Sequence, residues 1–271
     1  MKKRILTIAG SDTSGGAGIQ ADLKAITCLG AYGMTVITAL TAQNPWEVRA
    51  IHQTPPDFVA AQLDTIMETI PVDAVKTGML PNAECILLVA ERLQRHGVSR
   101  SVIDPVVIAA SGARLIDQIA FEALRRDLFP LAGLVTPNIA EAELLSGMTI
   151  TSIDGMKEAA SIIHEMGPKS VLIKGGHLPF NEAVDVLLDK GVLHEFSSRR
   201  FETEAVHGTG CTIASAIATL WAVEGDLPTA VRKAKNFISL AIEKGVFLGD
   251  KPGVPDQTAI LDFTTALAKL A

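Results

Sequence analysis

Along this chain, apolar runs of three to seven residues alternate with longer stretches in which apolar positions recur every three or four residues. Short β-branched runs read as strands and the longer period as helix, so the alternation predicts a mostly parallel sheet with helices on both faces. Strands are expected at 5–9, 35–41, 74–77, 101–103, 133–136, 170–174 and 184–188. Val59, Leu63, Ile66, Met67 and Ile70 form one helical stripe, and Ile86, Val89, Ala90 and Leu93 form a second that Gly97 ends. Met156, Ala160 and Ile163 repeat the pattern ahead of Gly167. The runs 184–188 and 192–196 flank Lys190-Gly191 and predict a hairpin, hence a short antiparallel edge. Long helices follow near 212–223 and 228–244, and the tail from Gly249 carries two prolines before a last amphipathic turn or two. No linker, internal repeat or low-complexity stretch interrupts the pattern, so residues 1–271 are expected to fold as one domain.

In open α/β sheets, ligands gather beyond the carboxyl ends of the strands. The polar residues of this chain are concentrated there: 12–18 after the first strand, Gln43-Asn44 after the second, Gly78-Met79 after the third, Asp104 after the fourth, Asn138 and Glu141 after the fifth, and Gly175-Gly176-His177 after the sixth. One cleft could collect all of them.

Composition narrows the partners. The chain has 24 Lys and Arg against 30 Asp and Glu, a net charge of −6 without a basic block, which argues against a nucleic-acid partner. Cys28, Cys85 and Cys211 are far apart and match neither a CxxC pair nor zinc-ligand spacing, so they read as reduced thiols of a cytoplasmic protein. The basic start Met1-Lys2-Lys3-Arg4 precedes an apolar run too short for a signal peptide, and no stretch approaches the roughly 20 apolar residues of a membrane span.

Two glycine-rich segments could hold an anion. Val206-His207-Gly208-Thr209-Gly210-Cys211-Thr212 stands directly before an apolar helical run, where inward-turned N–H groups and the positive end of a helix make a cradle. Cys211 at that end is expected to have its ionised form stabilised, fitting it to accept a proton or to act as a nucleophile; the alternative is a glycine turn with a small buried cysteine. Gly16-Ala17-Gly18-Ile19-Gln20-Ala21 fits the dinucleotide fingerprint, but residues 10–15 separate it from its strand and the ribose-binding acid is missing. No Gly-Lys dipeptide occurs, which rules out a Walker A loop.

A phosphate site then falls to the later loops. Lys174-Gly175-Gly176 ends a strand with a point charge beside flexible backbone. Asn138 and Glu141 have the capping-box spacing, while Glu141 with Asp104 also suits a hydrated magnesium ion, which takes one or two carboxylates plus phosphate oxygens; both readings can hold at once. Asp104, set before Pro105, sits at a cleft edge or in a surface turn.

Taken together, these strings resemble a known family. They are 9–24 (Ala9-Gly10-Ser11-Asp12 through Gly16-Ala17-Gly18 to Asp22-Leu23-Lys24), Lys76-Thr77-Gly78-Met79-Leu80, Asp104-Pro105-Val106, Thr136-Pro137-Asn138, Lys174-Gly175-Gly176-His177 and His207-Gly208-Thr209-Gly210-Cys211-Thr212. The chain is similar from about residue 3 to 244, with the motifs in family order, to the hydroxymethylpyrimidine/phosphomethylpyrimidine kinases of thiamine synthesis, of the ribokinase-like superfamily. The resemblance implies a ribokinase-like α/β fold, a dimer, and an ATP- and magnesium-dependent kinase. Such an enzyme phosphorylates 4-amino-5-hydroxymethyl-2-methylpyrimidine and then its monophosphate.

By the same matching, Cys211 is the catalytic base where most ribokinase-like sugar kinases carry an aspartate, and Gly208, Thr209 and Gly210 supply the anion hole. Lys174 contacts ATP phosphates, Thr136, Asn138, Thr212 and Lys235 belong to the nucleotide side, and Asp104 and Glu141 organise magnesium. The pyrimidine pocket matches at Ala17, Gln43, Met79 and Val106. Gln43 has its own physical argument: a side-chain amide complements the ring nitrogen and amino group of an aminopyrimidine in one plane, whereas a pyridoxal ring presents a phenolic oxygen there and gains less. The alternative for Gln43 is a strand-end residue bonding to backbone. The chain departs from the family at Ala205, where a polar residue is usual, and in its tail at 250–255. A pyridoxal or pyridoxine kinase on the same scaffold is the nearest rival. A non-catalytic pyrimidine-binding protein would not need Lys174, Glu141 and Cys211, and a Cys211 hydrolase would find His207 poorly placed to orient the thiol.

Overall fold

The computed structural model describes residues 1–107, 115–176, 182–203, 205–249 and 253–261. In chain order the elements are β1 (Arg4–Asp12), α1 (Gly18–Cys28), β2 (Tyr32–Gln43), β3 (Val48–Gln53), α2 (Pro56–Met67), β4 (Ala74–Thr77), α3 (Ala83–Arg95), β5 (Ser101–Ile103), α4 (Gln118–Ala123), β6 (Leu134–Val135), α5 (Ile139–Ser146), α6 (Ile153–His164), β7 (Ser170–Ile173), β8 (Glu182–Asp189), β9 (Val192–Arg199), α7 (Thr209–Glu224), α8 (Leu227–Glu243), β10 (Val246–Phe247) and β11 (Gly253–Val254). The main sheet has nine strands in the order β3-β2-β1-β4-β5-β6-β7-β8-β9. From β2 to β7 the pairings are parallel; β3, β8 and β9 join antiparallel. Strand order reverses between β1 and β4, the crevice where such sheets bind ligands.

Each face of the sheet has its own apolar cluster. Leu6, Ile8, Val75, Ile103, Val171 and Ile173 point to the side covered by α2, α3, α5 and α6, while Ile5, Ala74, Val102 and Leu172 point to the side covered by α1, α7 and α8. Burial on both faces explains why these strands read as apolar runs rather than as alternation.

The expected elements appear with adjusted ends. Strand 35–41 extends to Tyr32–Gln43, the 133–136 run pairs only over Leu134–Val135, and the first long helix after the cradle starts at Thr209. The hairpin is present, with Lys190 at φ 51° and Gly191 at φ 76°, the paired positive φ of a tight two-residue turn. One strand was not expected. β3 lies wholly exposed against β2, so neither of its faces is buried and its sequence Val-Arg-Ala-Ile-His-Gln carries no period-two apolar signal. The amphipathic turns expected at the end of the tail fall outside the described residues.

Candidate active site

The two glycine-rich strings meet. Gly208, at φ 83°, caps α7, and a Cβ there would lie 1.8 Å from the Gly16 carbonyl oxygen. Gly18 opens α1 at φ 57°, where a Cβ would come within 2.3 Å of the Gly10 oxygen. Only glycine tolerates both the left-handed backbone and such close approach. The N-termini of α1 and α7 are thus pressed together at the β1/β4 crevice. In the first turn of α7, the Thr209 and Thr212 N–H groups donate to Val206 and Gly208, while no acceptor among the described residues takes those of Gly210 or Cys211. Those two donors are available to an anion.

Cys211 lies where these starts converge. It is partly exposed, and the Gly18 N–H reaches its sulfur. Its thiolate is disfavoured, contrary to the expectation from the helix start alone. Burial of the sulfur pushes the thiol up to about 11; Lys76 and the Gly18 N–H pull it down, and Asp22 and Asp104 push it further up. Lys76 gives limited help because it is already neutralised. Its Nζ lies 2.9 and 2.8 Å from the two Asp22 oxygens, with both side chains fully buried. Ser215, one turn beyond Cys211 on α7, donates to Asp22 Oδ1 at 2.7 Å, and Thr7 donates to Oδ2. At neutral pH the resting thiol is therefore protonated.

Across the cradle stands a second charge cluster. Lys174 Nζ donates to Asp104 Oδ1 at 2.8 Å, and Thr136 Oγ1 donates to the same oxygen at 3.1 Å. A Cβ on Gly210 would sit 3.5 Å from Lys174 Nζ and 3.7 Å from Asp104 Oδ2, so both charges border the α7 start. Asp104 is 4% exposed, which removes the surface-turn alternative. Asn138 and Glu141 form the capping box: Asn138 Oδ1 accepts from Glu141 N, and Glu141 Oε2 accepts from Asn138 N, both at 2.9 Å. Glu141 Oε1 also accepts from Val107 N at 3.3 Å. Burial raises the Glu141 carboxyl to about 7, with Lys174 opposing the rise and Asp104 adding to it. No closed cage of three His, Cys, Asp or Glu exists among the described residues. Two neighbouring carboxylates, one of them raised by burial and by the other's charge, fit a hydrated magnesium ion completed by phosphate and water.

Two residues matched to the nucleotide side are turned inward. The Thr212 hydroxyl is buried and accepts from Gln257 Nε2 at 3.0 Å. Lys235 Nζ lies 2.8 Å from Asp185 Oδ2, in a buried pair whose other oxygen accepts the Gly175 N–H at 3.0 Å. Lys235 therefore braces the Lys174-Gly175 loop from behind, because Asp185 is its partner.

The four residues of the expected pyrimidine pocket are all partly exposed. Ala17 caps α1, with its N–H on Asp12 at 2.7 Å. The Met79 side chain lies over Gly10, whose added Cβ would be 2.9 Å from Met79 Cε. Val106 follows Asp104 in a tight turn, its N–H 2.9 Å from the Asp104 oxygen. Gln43 Nε2 comes within 3.4 Å of His207 Nε2, so its neighbour is a side chain rather than the backbone of the alternative reading. Ala205, the departure from the family pattern, is fully buried, and its methyl fills the space left by Gly245 and Gly253.

Sequence reasoning missed the Lys76–Asp22 and His207–Asp12 pairs, the latter 2.9 Å from Nε2 to Oδ2. A signal for the first was present: a lysine inside the apolar strand run 74–77 cannot be buried without a partner.

A family model described as Phosphomethylpyrimidine kinase matches residues 12–256. A hydroxymethylpyrimidine/phosphomethylpyrimidine kinase of Bacillus subtilis is 41% identical over 257 residues, covering 94% of this chain and 95% of the relative. A thiamine biosynthesis bifunctional protein of Geobacter sulfurreducens is 52% identical over 245 residues, 90% of this chain. The chain spans 50% of the length of that bifunctional relative. Among solved structures, an ADP complex of Bacillus subtilis pyridoxal kinase superposes with a TM-score of 0.87 at 39% identity, covering 96% of this chain and 99% of the other.

Proposed function

The chain belongs to the phosphomethylpyrimidine kinase family, and from that premise we propose that it transfers phosphoryl groups from ATP to the hydroxymethyl group of an aminopyrimidine and then to the resulting monophosphate. The observation that carries the reading is the convergence of Cys211, the free Gly210 and Cys211 N–H groups, and the Lys174–Asp104 pair at one helix start. A loose phosphoryl transition state spreads negative charge over its oxygens, and catalysis consists mainly of positioning and charge stabilisation. Gly208 and Thr209 shape the cradle, Gly210 and Cys211 donate into it, and Lys174 adds a cation. Magnesium, held by Asp104 and Glu141 through water or directly, would neutralise phosphate charge. Thr136 steadies Asp104, and Asn138 fixes Glu141.

Cys211 accepts the hydroxyl proton. Its resting thiol is protonated, so the reactive thiolate is a small fraction whose share grows with pH. Gln43 reads the aminopyrimidine edge, while Ala17, Met79 and Val106 flank the ring.

A second reading, a pyridoxal kinase, has the support of the solved structural neighbour of that name. Gln43 favours the pyrimidine, because its amide uses both a donor and an acceptor on that edge. A coupled ATPase assay with 4-amino-5-hydroxymethyl-2-methylpyrimidine, its monophosphate and pyridoxal decides. The pyrimidine and its monophosphate should give the higher kcat/KM, and pyridoxal as the best substrate would overturn the reading.

We also read the protein as a cytoplasmic homodimer. No helix among the described residues is long and apolar enough to cross a membrane, and Leu40, Trp46, Val48 and Ile51 leave apolar surface exposed at the β2–β3 edge. Sedimentation of the purified chain tests the dimer.

A further inference from the structure

Two motif residues have no part in the chemistry above: His207, which opens the cradle string, and Asp12, which closes β1. Asp12 is surrounded by donors. Its Oδ1 takes Ser14 N and Ser14 Oγ, each at 2.9 Å, and its Oδ2 takes Ala17 N at 2.7 Å. His207 Nε2 lies 2.9 Å from the same Oδ2, with the imidazole 13% and the carboxylate 3% exposed. Burial alone would raise the Asp12 carboxyl, yet the bonds from His207, Ser14 and Ala17 hold it down to about 2. It is ionised at neutral pH, so the ring nitrogen facing it must carry a proton, since a lone pair there would be repelled.

The ring is fixed in place. A Cβ on Gly16 would lie 2.8 Å from His207 Cδ2 and 2.6 Å from Val254 Cγ1, so the imidazole rests on the bare Gly16 backbone beside Val254. Gln43 Nε2 lies 3.4 Å from the same His207 nitrogen. Two N–H groups facing each other gain nothing, and a half-turn of the amide exchanges its nitrogen and oxygen at little steric cost. The single His207 Nε2 proton is held by Asp12 at 2.9 Å and is shared only weakly with Gln43 at 3.4 Å. That sharing, together with repulsion between the N–H and an amide NH2, puts the oxygen end on the His207 side and the NH2 end on the other.

We infer that His207, anchored by Asp12, is a specificity-positioning residue: it fixes the orientation of the Gln43 amide and so decides which ring edge the pocket accepts. The inference rests on the aminopyrimidine reading. An orientation-locked amide presents its NH2 to a ring nitrogen and keeps the second lone pair of its oxygen for the exocyclic amino group. A substrate whose facing group only accepts hydrogen bonds needs one end of the amide and gains less from the lock. It also explains why the N-terminal string and the cradle string occur together: Asp12 and Gly16 exist in the first to seat His207 of the second.

The test is a double-mutant cycle with steady-state kinetics on the aminopyrimidine and on pyridoxal. His207→Phe keeps the ring and removes both nitrogens. It should raise KM for the aminopyrimidine about fivefold, the effect of one weak, shared hydrogen bond, with a smaller change in kcat and in pyridoxal KM. In a Gln43→Ala background the same change should add nothing to KM beyond about twofold, because the residue through which His207 acts is gone. His207→Gln, which restores a donor toward Asp12, should stay within about threefold of the parent protein. If His207→Phe does not fold, His207→Asn, polar but too short to reach Gln43, takes its place with the same expectations.

Additive effects in the cycle, or equal losses on both substrates, would overturn the inference and leave the functional reading standing. A parent protein that turned over no aminopyrimidine would overturn both.

Discussion

Two lysine–aspartate pairs flank the cradle at the same 2.8 Å, and they are built for opposite ends. Lys76–Asp22 is sealed: the ammonium touches both carboxylate oxygens, Ser215 and Thr7 complete the carboxylate, and neither side chain is exposed. Lys174–Asp104 is open: among the described residues only Oδ1 accepts a side-chain hydrogen bond, Oδ2 faces Gly210, and the buried Glu141 carboxyl stands nearby, pushed up to about 7. A sealed pair cancels its own field and serves as a foundation under α1 and α7. An open pair leaves charge and lone pairs for something that arrives later. Contact distance alone does not separate structural from functional ion pairs; what remains unsatisfied around them does.

The comparison is broken most severely at the sealed pair. Lys76→Met leaves Asp22 as an uncompensated charge in the interior and should destabilise the fold by about 3–5 kcal/mol, read as a shift of the denaturation midpoint in urea. Loss of only a few tenths would show that Asp22 reaches solvent and that the pair is not a foundation.

Next in size is the pH dependence of stability at the open cluster. Glu141 has its carboxyl raised from 4.5 to about 7. Below the lower value it is protonated in folded and unfolded chains alike. Between the two, the folded protein retains a proton that the unfolded chain has lost, so stability falls as pH rises. The fall should be on the order of 2 kcal/mol from pH 5 to 7.5, and Glu141→Gln, which keeps the capping oxygen, should flatten it. Thermal melts across that range check the slope, and a slope unchanged in the variant would contradict the assignment.

The smallest effect on stability is expected at the open lysine. Lys174→Met should cost about 1–2 kcal/mol in stability, because Thr136 still donates to Asp104 and the Lys174 side chain is itself 13% exposed, but should raise KM for ATP about tenfold. Equal destabilisation by Lys76→Met and Lys174→Met would erase the distinction between the pairs.

Much of this architecture was legible in the sequence, and the exceptions share a cause. The parallel strands and the stripes of α2, α3 and α6 could be read because each buries a face, and burial writes a period into the chain. β3 buries none and left no trace. The cradle was readable as a glycine string before a helix, and Lys174, Asp104 and Glu141 as polar residues following strands. The sealed pair was not, since Lys76 and Asp22 stand 54 positions apart and meet only when β4 lies beside β1 and α1. The ionisation of Cys211 was misread for a related reason: the helix start that favours a thiolate is visible in sequence, but the burial and the neighbouring carboxylates that oppose it are not. Thr212 and Lys235 carry motif-like positions, yet Gln257 and Asp185 claim them.

The central claim is that the Cys211 thiolate, a minor fraction of the resting group, takes the hydroxyl proton beside an anion hole. It is tested most directly by following phosphoryl transfer from ATP to 4-amino-5-hydroxymethyl-2-methylpyrimidine from pH 6 to 9.5 in the parent protein and in Cys211→Ala. The parent rate should climb with pH as the thiolate share grows, while the variant should be lower by about a hundredfold or more, insensitive to pH, and still bind nucleotide. A variant that keeps near-parental turnover with the same pH profile would show that the cradle works without a thiol base.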